Sequence, residues 1–398
     1  MDDDWPAHGV ETVPWRNRSG RGSRTDRTLA SVDATVPPLI GGLALTSDPA
    51  AQVDQEGAIR ALAELDADSR AGATAISTFL IRTESIASSK IEHIDASTED
   101  FARALAGVRA NSSASAMVSA ARAIGAMTAE AGRTGVISME SLLTAHRALM
   151  VDDPAEGAYA GRMRDMQNWI GGSDFSPIDA VHVPPTPERL DTLMADLLHF
   201  ANRDDVPVIT QAAIAHAQFE SIHPFTDGNG RIGRALIGAI FRRRGLTTVA
   251  TPPIASALAA EQSHYFDLLT EYRAGHAGPI VRELARATRI ASEESLVSIR
   301  AIRELPSEWS TMVTPRPGSA LAALVDGLLE HPVFDAETAE DRIGRPTSTV
   351  YDALDRLEKA GIIHPITNRQ RNRVWAVTAI IDELSALDRR IAGRAARA

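Results

Sequence analysis

His223-Pro224-Phe225-Thr226-Asp227-Gly228-Asn229-Gly230-Arg231-Ile232-Gly233-Arg234 is the stretch that decides how this chain is read. Twelve residues hold a titratable ring, a carboxylate, glycines flanking an amide, and two arginines. An apolar segment follows at once (Ala235, Leu236, Ile237, Ala239, Ile240, Phe241), spaced as in a buried helix. Gly228-Asn229-Gly230 therefore sits at that helix's N-terminus, where the first backbone N–H groups lack partners and the helix dipole favours an anion. Glycines there let the backbone approach a phosphate closely. Arg231 and Arg234, three apart, share one helix face and read as a polyphosphate clamp. Asp227 is a hard oxygen ligand beside that clamp and suits Mg²⁺. His223 is the nearby group able to take a proton at neutral pH.

Upstream, the run from Pro207 to Ile222 spreads Ile209, Ala212, Ala213, Ile214, Ala217 and Phe219 nearly all round a helix, which predicts a central, buried element delivering the loop. His216 and Glu220 on it read as structural hydrogen-bonding groups that orient the loop. His146, beside the apolar face of a helix N-capped by Ser138, reads as a satisfied core histidine rather than a ligand. No H-E-x-x-H spacing occurs, so a zinc site on helices is not expected.

The twelve residues match the Fic signature, H-P-F-x-[DE]-G-N-G-R-x-x-R, at every specified position, and over about residues 36–305 the chain resembles Fic-domain proteins. The resemblance implies a mainly α fold with a small β-hairpin flap. It also implies transfer of AMP from ATP to a protein hydroxyl, with His223 as the base and Mg²⁺ on Asp227. Gly228, Asn229, Gly230, Arg231 and Arg234 would hold the phosphates. Ser88-Ser-Lys-Ile-Glu92 fits the inhibitory motif [ST]-x-x-x-E-[GN] of that family, with His93 where Gly or Asn is usual. The resemblance then pairs Glu92 with Arg234, a carboxylate on the guanidinium fork that should receive the γ-phosphate. Residues 154–184 are the least helical part of the middle. Two short β-type segments there, containing Asn168, Trp169, Ile170 and Val181, His182, Val183, flank a turn rich in Gly, Ser, Asp and Pro. They resemble the flap that registers a target's backbone. Tyr265 stands where the family often has an aromatic residue lining the nucleotide.

The whole chain bounds these readings. Its 398 residues suffice for two or three domains. A net charge of −11 argues against a protein that coats nucleic acid. The absence of Cys excludes disulfides, thiolate zinc sites and a thiol nucleophile, and fits a cytoplasmic setting. The opening Met-Asp-Asp-Asp-Trp shows no apolar leader, and no apolar run of membrane-spanning length occurs.

In chain order, residues 1–35 are polar and without periodicity, which predicts a flexible arm. Residues 36–135 read as an N-terminal helical region with the inhibitory helix, and 136–305 as the catalytic core. The prolines of 306–318 suggest a linker. Residues 319–398 read as three helices and a two-stranded basic wing, a winged helix-turn-helix domain. Thr347 and Ser348 would open its recognition helix, and Arg369, Arg371 and Arg373 would line the wing. Acidic and basic side chains balance in that domain, so DNA binding and protein docking stay open alternatives.

The expected function is AMP transfer to a Ser, Thr or Tyr hydroxyl of a target protein, the chain itself included, restrained by Glu92. Three rivals stand beside it: removal of AMP, transfer of another phosphate-containing group, and a DNA-binding regulator that senses nucleotide. The apolar helices also suit a homodimer.

Overall fold

The computed structural model describes residues 5–17, 20–45, 49–108, 110–367 and 373–397. The protein is mainly helical. A short opening segment holds β1 (Gly9–Pro14), α1 (Arg24–Thr28) and β2 (Ser31–Val36). The helices α2 (Pro49–Ser69), α3 (Ala73–Ile91), α4 (Thr98–Leu105), α5 (Ser112–Thr134) and α6 (Met139–Met150) follow. After a largely irregular strap come α7 (Leu190–Ala201), α8 (Val208–Ile222), α9 (Asn229–Arg243), α10 (Ile254–Ala260), α11 (Gln262–Arg273) and α12 (Gly278–Val313). The last part holds α13 (Ala320–Gly327), β3 (Val333–Asp335), α14 (Ala336–Ile343), α15 (Thr347–Lys359), β4 (Ile363–Pro365), β5 (Val374–Val377) and α16 (Thr378–Ala395). No described helix is long and apolar enough to cross a membrane.

The chain divides into two compact units. One combines residues 1–59, 122–246 and 262–286; the other combines 60–121, 247–261 and 287–398. These limits cut across the sequence-based boundaries at 36–135 and 136–305, because helices distant in sequence share cores.

In the first unit α8 is the axis, packing on α7, α9 and α11. Residues 209–222 of α8 are all buried, as an element apolar on every side must be. Residues 5–17 and 20–35 are not a loose arm. β1 and β2 pair antiparallel, Gly9 opposite Val36 and Pro14 opposite Ser31. Ser23 caps α1 through a reciprocal box with Asp26. Trp5 is buried against the Tyr272 ring, 5.8 Å between centroids. A buried aromatic anchor, a capped helix and a hydrogen-bonded ladder order the segment despite its polar composition.

In the second unit α3 packs on α10 and α16. Glu84, buried on α3, accepts the Ala255 N–H at the start of α10 at 2.9 Å, satisfying an otherwise unpartnered donor. Asp66 gathers the N–H groups of Thr248, Val249 and Ala250 at 2.8–2.9 Å. The expected linker 306–318 is not there as such: α12 runs unbroken to Val313 with Pro306 inside it. Only Pro315 and Pro317 lie beyond the helix.

The expected two-stranded wing is a three-stranded antiparallel sheet in the order β3-β5-β4. It continues into α16, whose Ile380, Ile381, Leu384, Leu387 and Ile391 are buried. Arg369 and Arg371 lie outside the described residues.

Candidate active site

α8 ends on His223 itself. As the helix cap, His223 takes φ 50° and ψ 60°, left-handed values that are costly for a residue with a side chain, and its N–H closes on the Phe219 carbonyl at 2.8 Å. The cap is held from outside by side chains of the strap 154–185. Arg164 is buried, and its guanidinium donates to the carbonyls of His223 (2.9 Å), Ile222 (3.4 Å), Met166 (3.0 Å) and Pro185 (2.5 Å). Burial pulls the Arg164 pKa down to about 10, which leaves it charged at neutral pH. His182 Nε2 faces the Ser221 carbonyl at 2.9 Å; a carbonyl only accepts, so that nitrogen carries the proton. Burial first, then the Arg273 charge, holds His182 well below the ordinary histidine range, so it is a neutral donor.

The turn from His223 into α9 is closed by Asn229. Its Oδ1 accepts the Phe225 N–H at 2.8 Å and its Nδ2 donates to the Phe225 carbonyl at 2.9 Å. Both polar ends of the Asn229 side chain are therefore engaged within the loop, and what Asn229 has left to offer an anion is its backbone N–H. Asn168 Nδ2 also donates to the Phe225 carbonyl, at 2.9 Å. Phe225 stacks flat on His146, 3.8 Å between centroids and 3° between planes. His146 Nε2 donates to the Asp227 carbonyl (3.1 Å) and Nδ1 accepts the Gly161 N–H (2.9 Å). It is a satisfied core histidine, as expected, and it also holds the loop. Burial lowers its pKa to about 4.

Gly228 caps α9 at φ 77°, and a Cβ there would meet Leu149 Cδ2 at 2.9 Å, so glycine is required on both counts. Gly230, Arg231 and Arg234 are buried in the first turns of α9. Asp227 leaves half its side chain (53%) exposed, with Oδ2 at 3.5 Å from Arg231 Nη2 and Oδ1 accepting the Gly228 N–H at 2.6 Å. The structure thus brings His223, Asp227, the α9 N-terminus and both arginines into one short turn.

His216 Nε2 lies 2.8 Å from the Tyr265 hydroxyl, and Glu220 packs where a Cβ on Gly233 would have to go. Burial first, then the Arg234 charge, lowers the His216 pKa to about 3. Tyr265, 2% exposed and engaged by His216, belongs to this core layer rather than to a nucleotide-facing wall.

The flap departs from the expected hairpin. A single antiparallel bridge, Ile170 opposite His182, stands in place of two strands. Val181 is 71% exposed, but His182 and Val183 are buried, so only part of the segment faces outward. Trp15, Asp26 and Thr35 grip it. Trp15 meets Trp169 edge-on at 5.3 Å, and Thr35 N–H donates to the Val183 carbonyl at 2.8 Å. Asp26 accepts from Ser173 and Ser176, each at 2.6 Å. Those hydroxyls, Ser173 foremost, hold the Asp26 carboxyl below its ordinary range. Beside this joint runs a groove of about 1270 Å³ lined by Val13, Trp15, Asp165, Met166, Trp169 and Arg189 among others.

The model of the Fic/DOC family matches residues 136–241. The chain carries a Fic/DOC domain. That Fic domain falls wholly inside the first unit and contains every residue from His146 to Arg234 described above. Protein adenylyltransferase Fic of Drosophila grimshawi is 31% identical over 194 residues, 47% of this chain and 36% of that protein. The protein of the same name from Nematostella vectensis is 32% identical over 165 residues, 41% of this chain and 35% of that one. The alignments span about a third of the length of these curated relatives. A solved Fic family protein from Desulfovibrio desulfuricans G20 shares the fold, with a TM-score of 0.54 at 21% identity over 84% of this chain and 97% of that one.

Ser88 and Glu92 belong to the second unit, at the end of α3. Ser88 is buried; Glu92 is exposed and caps the helix. His93 adopts φ 57°, the left-handed conformation that Gly or Asn accommodates more easily. The N–H groups of His93 and Ile94 return to the carbonyls of Lys90 and Ser89 at 3.0 Å, so the helix terminates as it would with glycine.

Of the residues proposed to touch DNA, Thr347 donates to Glu340 at 3.0 Å and Ser348 is exposed. Arg373 pairs with Glu358 at 3.0 Å and lies over the Trp375 ring, so its guanidinium is already occupied.

Proposed function

We propose that this chain transfers AMP from ATP to the hydroxyl of a Ser, Thr or Tyr on a target protein, and that Glu92 restrains the reaction through Arg234. The observation that carries the reading is the turn itself. A histidine capping a buried helix lies five residues before a helix N-terminus furnished with glycine N–H groups and two buried arginines. Relatives named protein adenylyltransferase support it.

The hydroxyl oxygen attacks the α-phosphorus, the bond to the bridging oxygen breaks, and pyrophosphate leaves. His223 takes the hydroxyl proton. The α9 N–H groups and the two guanidiniums neutralise the charge gathering on the leaving group. One positioned base contributes roughly 10²–10⁴-fold, and the rest is orientation and charge. Asp227 is the residue that would hold Mg²⁺. Its half-exposed carboxylate suits an ion that takes few protein ligands and completes its shell with phosphate and water. The described residues offer no cluster of three or more His, Cys, Asp or Glu, which fits a metal delivered with nucleotide better than a caged one.

Glu92 would take the position of the γ-phosphate on the Arg234 fork, as a charge-assisted pair. Incubation with α-labelled ATP and a lysate tests both parts. Label should pass to protein, rise in Glu92→Gly and vanish in His223→Ala. Label retained in His223→Ala removes the base, and an unchanged rate in Glu92→Gly removes the restraint.

The C-terminal module we read as a winged helix that docks protein. On α15 the exposed donors Thr347, Ser348 and Thr349 are followed by exposed Asp352 and Asp355, carboxylates that a phosphate backbone would repel. Salt-sensitive DNA retardation by the full chain would reverse that preference.

A further inference from the structure

We propose that Arg164 is a positioning residue for the general base: its single buried guanidinium holds His223 in register with both sides of the flap. The inference rests on the transfer reading and deepens it.

Three facts converge. First, the residue that must present a ring to the reacting hydroxyl sits in a left-handed conformation at a helix end, where the last carbonyls have no intrahelical partners. An unsupported helix end frays. Second, the partners it needs come from the strap. Arg164 covers the carbonyls of Ile222 and His223, and His182 covers that of Ser221, so three successive carbonyls are capped from one side. Third, the same guanidinium reaches Met166 on the incoming arm of the flap and Pro185 on the outgoing arm. The Arg164 N–H adds a bond to the Pro224 carbonyl at 2.9 Å. A planar fork with five donors can serve four carbonyls at once; an ammonium cannot. Arg164 thus joins the element proposed to align the target with the residue proposed to deprotonate it. It touches neither reactant, and it acts through the backbone of His223.

The chemistry predicts a specific signature. A displaced base lowers the rate of the bond-making step, whereas the phosphate clamp on α9 lies outside the joint. In the full chain, Arg164→Lys and Arg164→Ala should lower kcat about a hundredfold, the order expected of a roughly 1 Å misplacement, with KM for ATP within threefold of wild type. Guanidinium ion at millimolar concentration should restore at least tenfold to Arg164→Ala and nothing to His223→Ala. Amide exchange at Ile222, His223 and Phe225 should accelerate in Arg164→Lys, whether or not any label is transferred.

Transfer within threefold of wild type in Arg164→Ala overturns the proposal. So does loss of ATP binding in step with transfer and without guanidinium rescue, which marks a merely structural role. Should neither variant fold, the role is structural and the proposal falls. Failure of the underlying transfer reading looks different: wild type and every variant then move no label, while exchange at Ile222, His223 and Phe225 still responds to Arg164→Lys.

Discussion

Replacing Asn229 with Ala separates two roles for the most conspicuous amide in the loop. If its side chain serves the loop, the damage is to folding. Two hydrogen bonds disappear, at 2.8 and 2.9 Å, but their losses are unequal. The Phe225 carbonyl keeps a second donor, Asn168 Nδ2 at 2.9 Å. The Phe225 N–H keeps none that the structure shows, in a fully buried setting. A lost bond of about 1 kcal/mol together with an orphaned buried donor at about 1–3 kcal/mol gives a destabilisation of about 2–4 kcal/mol. For a unit of this size that lowers the unfolding midpoint by roughly 5–15 °C. Asn229→Asp should fall between, because Oδ1 still accepts from Phe225 while the other oxygen faces a carbonyl. Differential scanning calorimetry reads the midpoint, and titration calorimetry with ATP well below it reads binding. A midpoint within 1 °C of wild type, joined to a tenfold or greater loss of ATP affinity, would refute the loop-clamp account and return Asn229 to the phosphates.

Three further outcomes rest on the same geometry. His93→Gly should stabilise the end of α3 by about 0.5–1 kcal/mol, because glycine adopts φ 57° without strain, less its greater freedom when unfolded; a lower melting midpoint would contradict this. The buried histidines make stability depend on pH with a definite sign. His146 (about 4), His216 (about 3) and His8 (about 3) all sit below the ordinary 6.5, from burial first. The unfolded chain therefore binds more protons between those values and 6.5. Their contribution is full above pH 6.5 and is lost as pH falls from there through the folded values, and His146→Gln should flatten that part of the midpoint-against-pH curve. Ending the chain at Val377 removes α16 and the burial of Ile380, Ile381, Leu384, Leu387 and Ile391. At about 1.5–3 kcal/mol each this is on the order of 10 kcal/mol, the scale of a whole domain's stability, so limited proteolysis should show the second unit unfolded.

The sequence exposes the chemistry of the loop more fully than its mechanics. His223, Asp227, Arg231 and Arg234 announce themselves by type and spacing, and α8 by its uniform apolarity. What holds them does not. Arg164 and His182 lie in a stretch of Gly, Ser, Asp and Pro with no period, and nothing in such a stretch says which distant carbonyls its donors will reach. Asn229 is legible as a polar group at a helix N-terminus, but a short amide turning back to its own loop competes with any ligand for the same donors. Tyr265 misleads because an aromatic residue after a phosphate loop looks the same from sequence whether it faces ligand or core. α16 is a different case: Ile380, Leu384, Leu387 and Ile391 recur at helical spacing, so its signal is present in the chain. The ordered opening segment carries only Trp5, Trp15 and two six-residue strands against many polar residues, too little pattern to outweigh composition.

The restraint proposed for Glu92 would be only as firm as the helix that carries it. α3 does not stand alone: its last turn is tied to α16 by Lys90 and Asp388 at 2.8 Å, and its buried face packs on α10 and α16. The ion pair is partly exposed and by itself contributes little; the apolar contact between the helices contributes more. The C-terminal segment is therefore part of the scaffold that sets where α3 ends, and a linker between them would have made such a dependence impossible. A molecule bound to the C-terminal module moves Glu92 only to the degree that it distinguishes two packings of α16, since a ligand with equal affinity for both shifts nothing. The strength of any effect on α3 from that end of the chain is bounded by that difference in affinity.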